Sequence, residues 1–124
     1  MKRVILDTNF LMSLVRFRVG LEDIKDLVDG PCQLFTLNLV VDELKKISES
    51  KGKHAKDASL ALKIIKLNDV NVLNAGKTNT DNAIIGLADK ASVVATNDIE
   101  LRKKLKKLEI KTIYLRAKKH LAID

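Results

Sequence analysis

Short runs of branched aliphatic residues recur along the chain, each separated from the next by segments with the apolar spacing of a helix. The runs are Arg3 to Leu6, Leu34 to Leu37, Val70 to Leu73, Ser92 to Thr96 and Lys111 to Leu115. The first gap holds two helical segments, Asn9 to Phe17 and Leu21 to Val28, divided by Gly20. The second holds Val40 to Glu49 and Ala55 to Leu67, divided by Lys51-Gly52-Lys53, and Asp81 to Lys90 and Asp98 to Leu108 fill the remaining two. Gly30-Pro31 closes the second helical segment and admits the second strand. Strands alternating with helices predict an α/β fold, a parallel sheet covered on both faces.

With 124 residues, the chain fits one domain, residues 1 to 124, able to bury roughly 70% of its unfolded surface. A composition 46% hydrophobic and 31% charged excludes a disordered chain, and no apolar run approaches the ~18 residues of a membrane helix. Met1-Lys2-Arg3 leads straight into a strand-like segment with no secretory apolar region, so a cytoplasmic protein is expected. Cys32 is the only cysteine, which excludes an intramolecular disulfide and a thiolate metal cluster. It reads as a small apolar residue. His54 and His120 stand alone beside lysines and read as surface residues. Four aromatic residues, Phe10, Phe17, Phe35 and Tyr114, are few for a surface that stacks single-stranded bases.

The net charge is +7, with the excess concentrated late: Arg102, Lys103, Lys104, Lys106, Lys107, Lys111, Arg116, Lys118 and Lys119. Such an excess points to a polyanionic partner, most commonly nucleic acid, bound with strong salt dependence. A lysine-rich solvated face, as in heat-adapted proteins, is the structural alternative. On the helical segment after Asp98, Lys103, Lys106 and Lys107 fall on neighbouring turns where a nucleic-acid backbone would meet them.

The apolar run Val4-Ile5-Leu6 stops abruptly on Asp7, followed by Thr8-Asn9 and then Phe10-Leu11. A buried strand here delivers an acid to a strand-to-helix turn. In open parallel sheets the ligand site lies beyond the carboxyl ends of the strands, where the winding reverses. Asp7 follows the first strand and Asp98 the fourth, so both enter one crevice if those strands are neighbours. Helical phase selects two more acids, each residue advancing about 100 degrees. Val40, Leu44 and Ile47 define one apolar stripe, and Glu43 lies about 60 degrees from Val40 while Asp42 points away. Asp81 falls within about 60 degrees of Ile84 on the stripe Ile84, Ala88, Ala91, and Asp98 falls equally close to Leu101 on the stripe Leu101, Leu105, Leu108.

Each acid also has a purely structural reading. Asp7 and Asp98 fit helix N-caps. Asp81, after Thr78 and Thr80, fits a Thr-x-x-Asp capping arrangement in a first turn. Glu43 fits a solvated residue paired with Lys46. The coincidence of four inward-facing acids carries more weight than any one of them. Converging carboxylates repel one another and destabilise a fold unless a cation offsets them. A hard divalent cation, Mg²⁺ or Mn²⁺, prefers such oxygen ligands and retains several waters. Two such ions suit in-line displacement at phosphorus. Thr8, Asn9, Thr96 and Asn97 would position the carboxylates or donate to phosphate, with turn formation and capping as their alternative roles.

Asp7-Thr8-Asn9 after a first strand, Glu43 on a helix, Asp81 opening a later helix and Thr96-Asn97-Asp98 after a strand together resemble a PIN domain, over nearly the whole chain. The resemblance implies a three-layer α/β/α sandwich with a five-stranded parallel sheet, Mg²⁺ or Mn²⁺ held by Asp7, Glu43, Asp81 and Asp98, and hydrolysis of RNA phosphodiesters. With RNA as the polyanion, the late basic residues expected to meet its backbone are Lys103, Lys106, Lys107, Arg116, Lys118 and Lys119, with a solvated helix face as the alternative for the first three. Many members carry another aspartate two positions after the one matching Asp98, where this chain has Glu100. The family includes toxins of toxin-antitoxin pairs and ribosomal-RNA processing nucleases, and the ending Tyr114-Leu115-Arg116-Ala117-Lys118-Lys119-His120-Leu121 is more similar to the small-subunit rRNA-processing branch. An antitoxin or a ribosome-assembly partner, and pairing as a homodimer, are the associations implied.

Two other functions compete. A catalytically idle RNA-binding scaffold in ribosome assembly would not need four acids. A phosphoacceptor signalling domain needs an aspartate ending the third strand, where Val72-Leu73-Asn74 offers none.

Overall fold

The computed structural model of the protein describes residues 1–124. In chain order the elements are β1 (Lys2–Leu6), α1 (Thr8–Phe17), α2 (Glu22–Leu27), β2 (Cys32–Leu37), α3 (Asn38–Ser48) and α4 (Ala55–Leu67). There follow β3 (Asn71–Leu73), α5 (Thr80–Leu87), β4 (Ser92–Ala95), α6 (Ile99–Lys107), β5 (Lys111–Arg116) and β6 (His120–Ile123). The strands form one sheet in the order β3-β2-β1-β4-β5-β6.

β1 pairs in parallel with β2 on one side and β4 on the other, with Val4 opposite both Leu34 and Val93. The chain winds outward through β2 and β3, returns to the centre at β4 and then winds the other way, so the reversal falls between β1 and β4. Successive strand residues face opposite sides of a sheet, yet Val4, Ile5 and Leu6 are all fully buried. Helices therefore cover both faces, which gives the three layers. Phe10, Leu11 and Leu14 of α1, Val40 and Leu44 of α3, Ile84 of α5 and Leu101 and Leu105 of α6 join the strands in one contiguous apolar core. No helix is long and apolar enough to cross a membrane.

The sheet has six strands where the sequence pattern predicts five parallel ones. His120–Ile123 runs antiparallel to β5, with Leu115 opposite Leu121 and Ile113 opposite Ile123. The turn is built by Ala117 and Lys118, both at positive φ (54° and 58°), and closed by the Lys119 N–H donating to the Arg116 carbonyl at 3.2 Å. Positive φ at both central positions matches the twist of a tight hairpin, but the usual Asn-Gly signature is missing. The basic run hides the hairpin.

Two helical stripes are also shorter than periodicity suggests. α5 ends at Leu87 because Asp89 competes for the chain: its carboxylate accepts from the Ala91 N–H and the Ser92 hydroxyl, forming a local turn. Ala91 consequently lies outside the helix and is exposed. α6 ends at Lys107, Glu109 adopts φ 61°, and Leu108 remains 49% exposed.

Candidate active site

Asp7 is the single residue between β1 and α1. Its N–H donates to the Ala95 carbonyl of β4 at 3.0 Å, and its carbonyl accepts from Leu11 N–H at 3.1 Å. The residue is only 5% exposed. Its Oδ1 accepts from the Thr8 N–H and its Oδ2 from the Thr96 hydroxyl, each at 2.8 Å. Asp7 is thus the N-cap of α1, and the carboxylate is held rigidly at the point where the winding reverses.

The second acid arrives through a threonine. Thr8 Oγ1 donates to Glu43 Oε2 at 3.1 Å, so Thr8, whose N–H is capped by Asp7, joins the first turn of α1 to α3. Val40 and Leu44 are fully buried while Asp42 and Glu43 are exposed, the phase expected of a rim position. Glu43 forms no ion pair with Lys46; the molecule's four ion pairs involve Asp89, Glu109, Asp124 and Glu100. Asp81 sits half-buried in the first turn of α5, whose N-cap is Asn79 accepting from Asn82 N–H at 2.8 Å. That cap replaces the expected Thr-x-x-Asp arrangement and leaves Asp81 without a capping duty. Asp98 does cap: its Oδ1 accepts from the N–H groups of Glu100 and Leu101 at 2.9 and 3.2 Å. It connects to Asp7 through Thr96, whose hydroxyl donates to Asp7 and accepts from the Asp98 N–H at 3.1 Å.

Burial pushes the Asp7 carboxyl above the ordinary aspartate value of 3.8; the bonds from Thr96 and Thr8 work against this, and the charges of Asp81 and Glu43 add to it. None of the four acids has a lysine or arginine within ion-pair distance. The structure therefore gathers negative charge around Asp7 and leaves it without a protein cation. No three Asp, Glu, His or Cys side chains are placed to hold one ion together. A donor set of this kind, hard oxygens around an unpaired buried carboxylate, fits an Mg²⁺-like ion that keeps most of its waters and takes one or two carboxylates directly.

The flanking polar residues divide into two kinds. Thr8 and Thr96 hold the acids. Asn97 instead holds the fold: its Nδ2 donates to Ser13 Oγ at 2.9 Å, its Oδ1 accepts from Leu115 N–H at 2.8 Å, and its N–H donates to Asn9 Oδ1 at 3.1 Å. Those bonds use one of the two Nδ2 donors and one of the two Oδ1 lone pairs and fix the orientation of the side chain. Ser13 is invisible as a partner in the sequence because the contact spans 84 residues. Glu100 faces solvent beside Lys103 at 3.8 Å, apart from the acids around Asp7.

The basic residues also divide. Arg116, Lys118 and Lys119 belong to the β5–β6 turn, at the carboxyl end of β5 and on the same rim as Asp7. Lys103 is mid-way along α6. Lys106 and Lys107 end α6, and Lys106 shares a small cavity with Lys111, which opens β5. They therefore lie toward the opposite rim, which helical phase alone could not reveal.

A family model described as a PIN-like domain matches residues 4–118. The chain is 28% identical over 129 residues to Ribonuclease VapC4 of Methanocaldococcus jannaschii, an alignment covering 99% of this chain and 97% of that protein. In structure it is similar to the PIN domain endonuclease Utp24, with a TM-score of 0.81 and 23% identity, covering 98% of this chain and 90% of that one. A domain of a functionally unknown Methanocaldococcus jannaschii protein superposes with a TM-score of 0.61 and 19% identity over 94% and 93% of the two chains. The two structural likenesses establish the architecture.

Proposed function

Since the chain belongs to the PIN-like domain family, we propose that it is a metal-dependent endoribonuclease whose site is the crevice between the carboxyl ends of β1 and β4. The observation that carries this reading is the setting of Asp7: nearly buried, fixed by two hydrogen bonds, repelled by Asp81 and Glu43, and matched by no lysine or arginine. Such a carboxylate weakens the fold unless a cation joins it. The name of the relative Ribonuclease VapC4 and the net charge of +7 support RNA as the substrate.

Asp7, Glu43, Asp81 and Asp98 would hold the Mg²⁺ or Mn²⁺. Bound there, the ion supplies a Lewis acid that lowers the pKa of a water and offsets charge on a phosphodiester. The protein's part is orientation. Thr8 and Thr96 each spend a hydroxyl on an acid, fixing the direction of Glu43 and Asp7 before substrate arrives. Asn9 is exposed beside Asp7 with its Oδ1 taken by the Asn97 N–H, which leaves its Nδ2 to donate to a phosphate oxygen. Arg116, Lys118 and Lys119 take the RNA backbone along the same rim, each neutralised phosphate adding to the salt dependence of binding. The whole chain serves as one nuclease domain.

The looseness of the acid set favours one other reading, a catalytically idle RNA-binding scaffold. Cleavage of single-stranded RNA in Mn²⁺ by the parent and by Asp7→Asn separates the two. Loss of cleavage in the variant is expected; equal rates would sink the nuclease. Mn²⁺ should also raise the parent's melting temperature by binding the folded state preferentially, and an unchanged value at millimolar metal would favour the scaffold.

A further inference from the structure

The scarcity of aromatic residues argues against base stacking, but the four present have different fates in the fold. Phe10 is fully buried. Phe35 packs against the core from β2, and the Tyr114 ring is covered by the Arg102 guanidinium at 3.6 Å. Phe17 alone lines a sizeable cavity, about 380 Å³, within the roughly 300–1,000 Å³ typical of small-molecule sites. This cavity runs along α1, the helix that Asp7 caps, from Asn9 to Phe17.

Its chemistry is that of a base site. Met12 and Ile47 continue the apolar wall beside Phe17, which suits the flat face of a heterocycle. His54 and Asp57, from the loop before α4 and its first turn, close the far side. Neither forms an ion pair, and together they offer a donor and acceptors to the edge of a base. Two cations attend the ring: Arg16 Cζ lies 5.5 Å and Lys118 Nζ 5.9 Å from its centroid. They come from α1 and from the β5–β6 turn, so a base entering between them would have its flanking phosphates met by opposite charge. His54 is thus half-buried in a cavity wall, not the surface residue its lysine neighbours suggest.

We propose that this cavity seats one unpaired base of the RNA strand that the acid crevice cuts, with Phe17 as the stacking platform and His54 and Asp57 reading the base edge. The proposal rests on the nuclease reading for its link to cleavage. At ~1.5 Å of rise per residue, Asn9 and Phe17 stand about 12 Å apart along α1. The seated base therefore belongs to a nucleotide flanking the cleaved phosphodiester. Bases in a duplex are stacked and paired, so the site selects single-stranded RNA.

The test has a binding arm and a cleavage arm. The chain has no tryptophan, so Phe17→Trp introduces a single tryptophan into the cavity, excited selectively at a wavelength where Tyr114 does not absorb. Titrating it in EDTA with short single-stranded RNA should quench its emission, and an abasic ribose at one position of that RNA should abolish the quench. In the cleavage arm, an abasic scan of the substrate should lower the parent's kcat/KM by ~10-fold or more at one flanking position. Phe17→Leu should cut intact and abasic RNA at equal rates. RNA that binds without altering the tryptophan, or a flat abasic profile in a parent that cleaves, would overturn the base site. A quench that obeys the abasic rule in a protein that cuts nothing would keep the base site and overturn the nuclease. RNA that fails to bind at all would overturn both.

Discussion

Asp7 and Asp124 lie at opposite rims of the same sheet, and their charges meet opposite treatment. Asp7, at the carboxyl rim, is nearly buried among other acids and its carboxyl is pushed up, chiefly by burial. Asp124 follows β6 at the amino rim, where burial would also push it up. Hydrogen bonds from Arg102 and Thr112, at 3.0 Å each, and the charges of Arg102 and Lys106 outweigh burial and hold it low. Arg102 lies over Tyr114 as well, so one guanidinium joins α6, β5 and the chain's last residue. Compensation inside the chain turns a carboxylate into a fastener. Leaving one uncompensated keeps it available to something outside the chain.

The sharpest way to break this contrast is Asp7→Asn, which should lower Mn²⁺-dependent RNA cleavage by ~100-fold or more. The same variant should melt at a higher temperature than the parent in metal-free buffer, because an amide keeps hydrogen-bonding capacity toward Thr8 and Thr96 without the charge. A lower melting temperature would show that Asp7 is a fastener too. Thr96→Val comes next in size. It keeps the shape of the side chain, removes the donor to Asp7 Oδ2, and should cost ~10-fold in activity. Since that bond lowers the Asp7 pKa, the acid limb of the pH–rate profile should move to higher pH.

At the other rim, Asp124→Ala should destabilise by about 1 kcal/mol in urea unfolding, a figure held down by solvent screening of a pair in which Asp124 is 38% exposed. Cleavage should not change. The smallest effect is the pH dependence of stability, which has opposite signs for the two acids. The folded pKa of Asp7 lies above its unfolded value, so its contribution is present below 3.8 and is lost as pH rises through the raised value. The folded pKa of Asp124 lies below, so its contribution is present above 3.8 and is lost as pH falls through the lowered value. Melting temperatures of parent and variants across the acid range should show the gap between Asp7→Asn and the parent widening with rising pH. The gap between the parent and Asp124→Ala should narrow toward low pH.

The sequence carries the parallel sheet clearly because aliphatic runs and helical periods are local patterns, and the expected segments all become elements of the fold. Strand order is a different kind of information. Only the pairing of Val4 with Val93, 89 positions away, places β1 beside β4. Helical phase put Glu43 and Asp81 at the edges of their core stripes, and the charge of each bears on Asp7. It could not show that Asp98 also serves α6 as its cap, or that Thr8 and Thr96 are the links between acids. β6 was hidden by a turn that uses alanine and lysine at positive φ. The Phe17 cavity was hidden because its walls come from α1, α3 and the region opening α4, with no shared sequence pattern.

Asn97 staples the segment between β4 and α6 to α1 through Ser13 and Asn9, and to β5 through Leu115. Thr96 and Asp98 cannot lift away from Asp7 without parting those three bonds at once. The segment that carries Thr96 and Asp98 is therefore fixed against Asp7. Hydrogen exchange at the amides of Asn97 and Leu115 should be as slow as in the central strands, since both open only with the fold itself. On the proposed nuclease reading, an RNA strand arriving there would have to do the bending, and its own flexibility would then govern where it is cut.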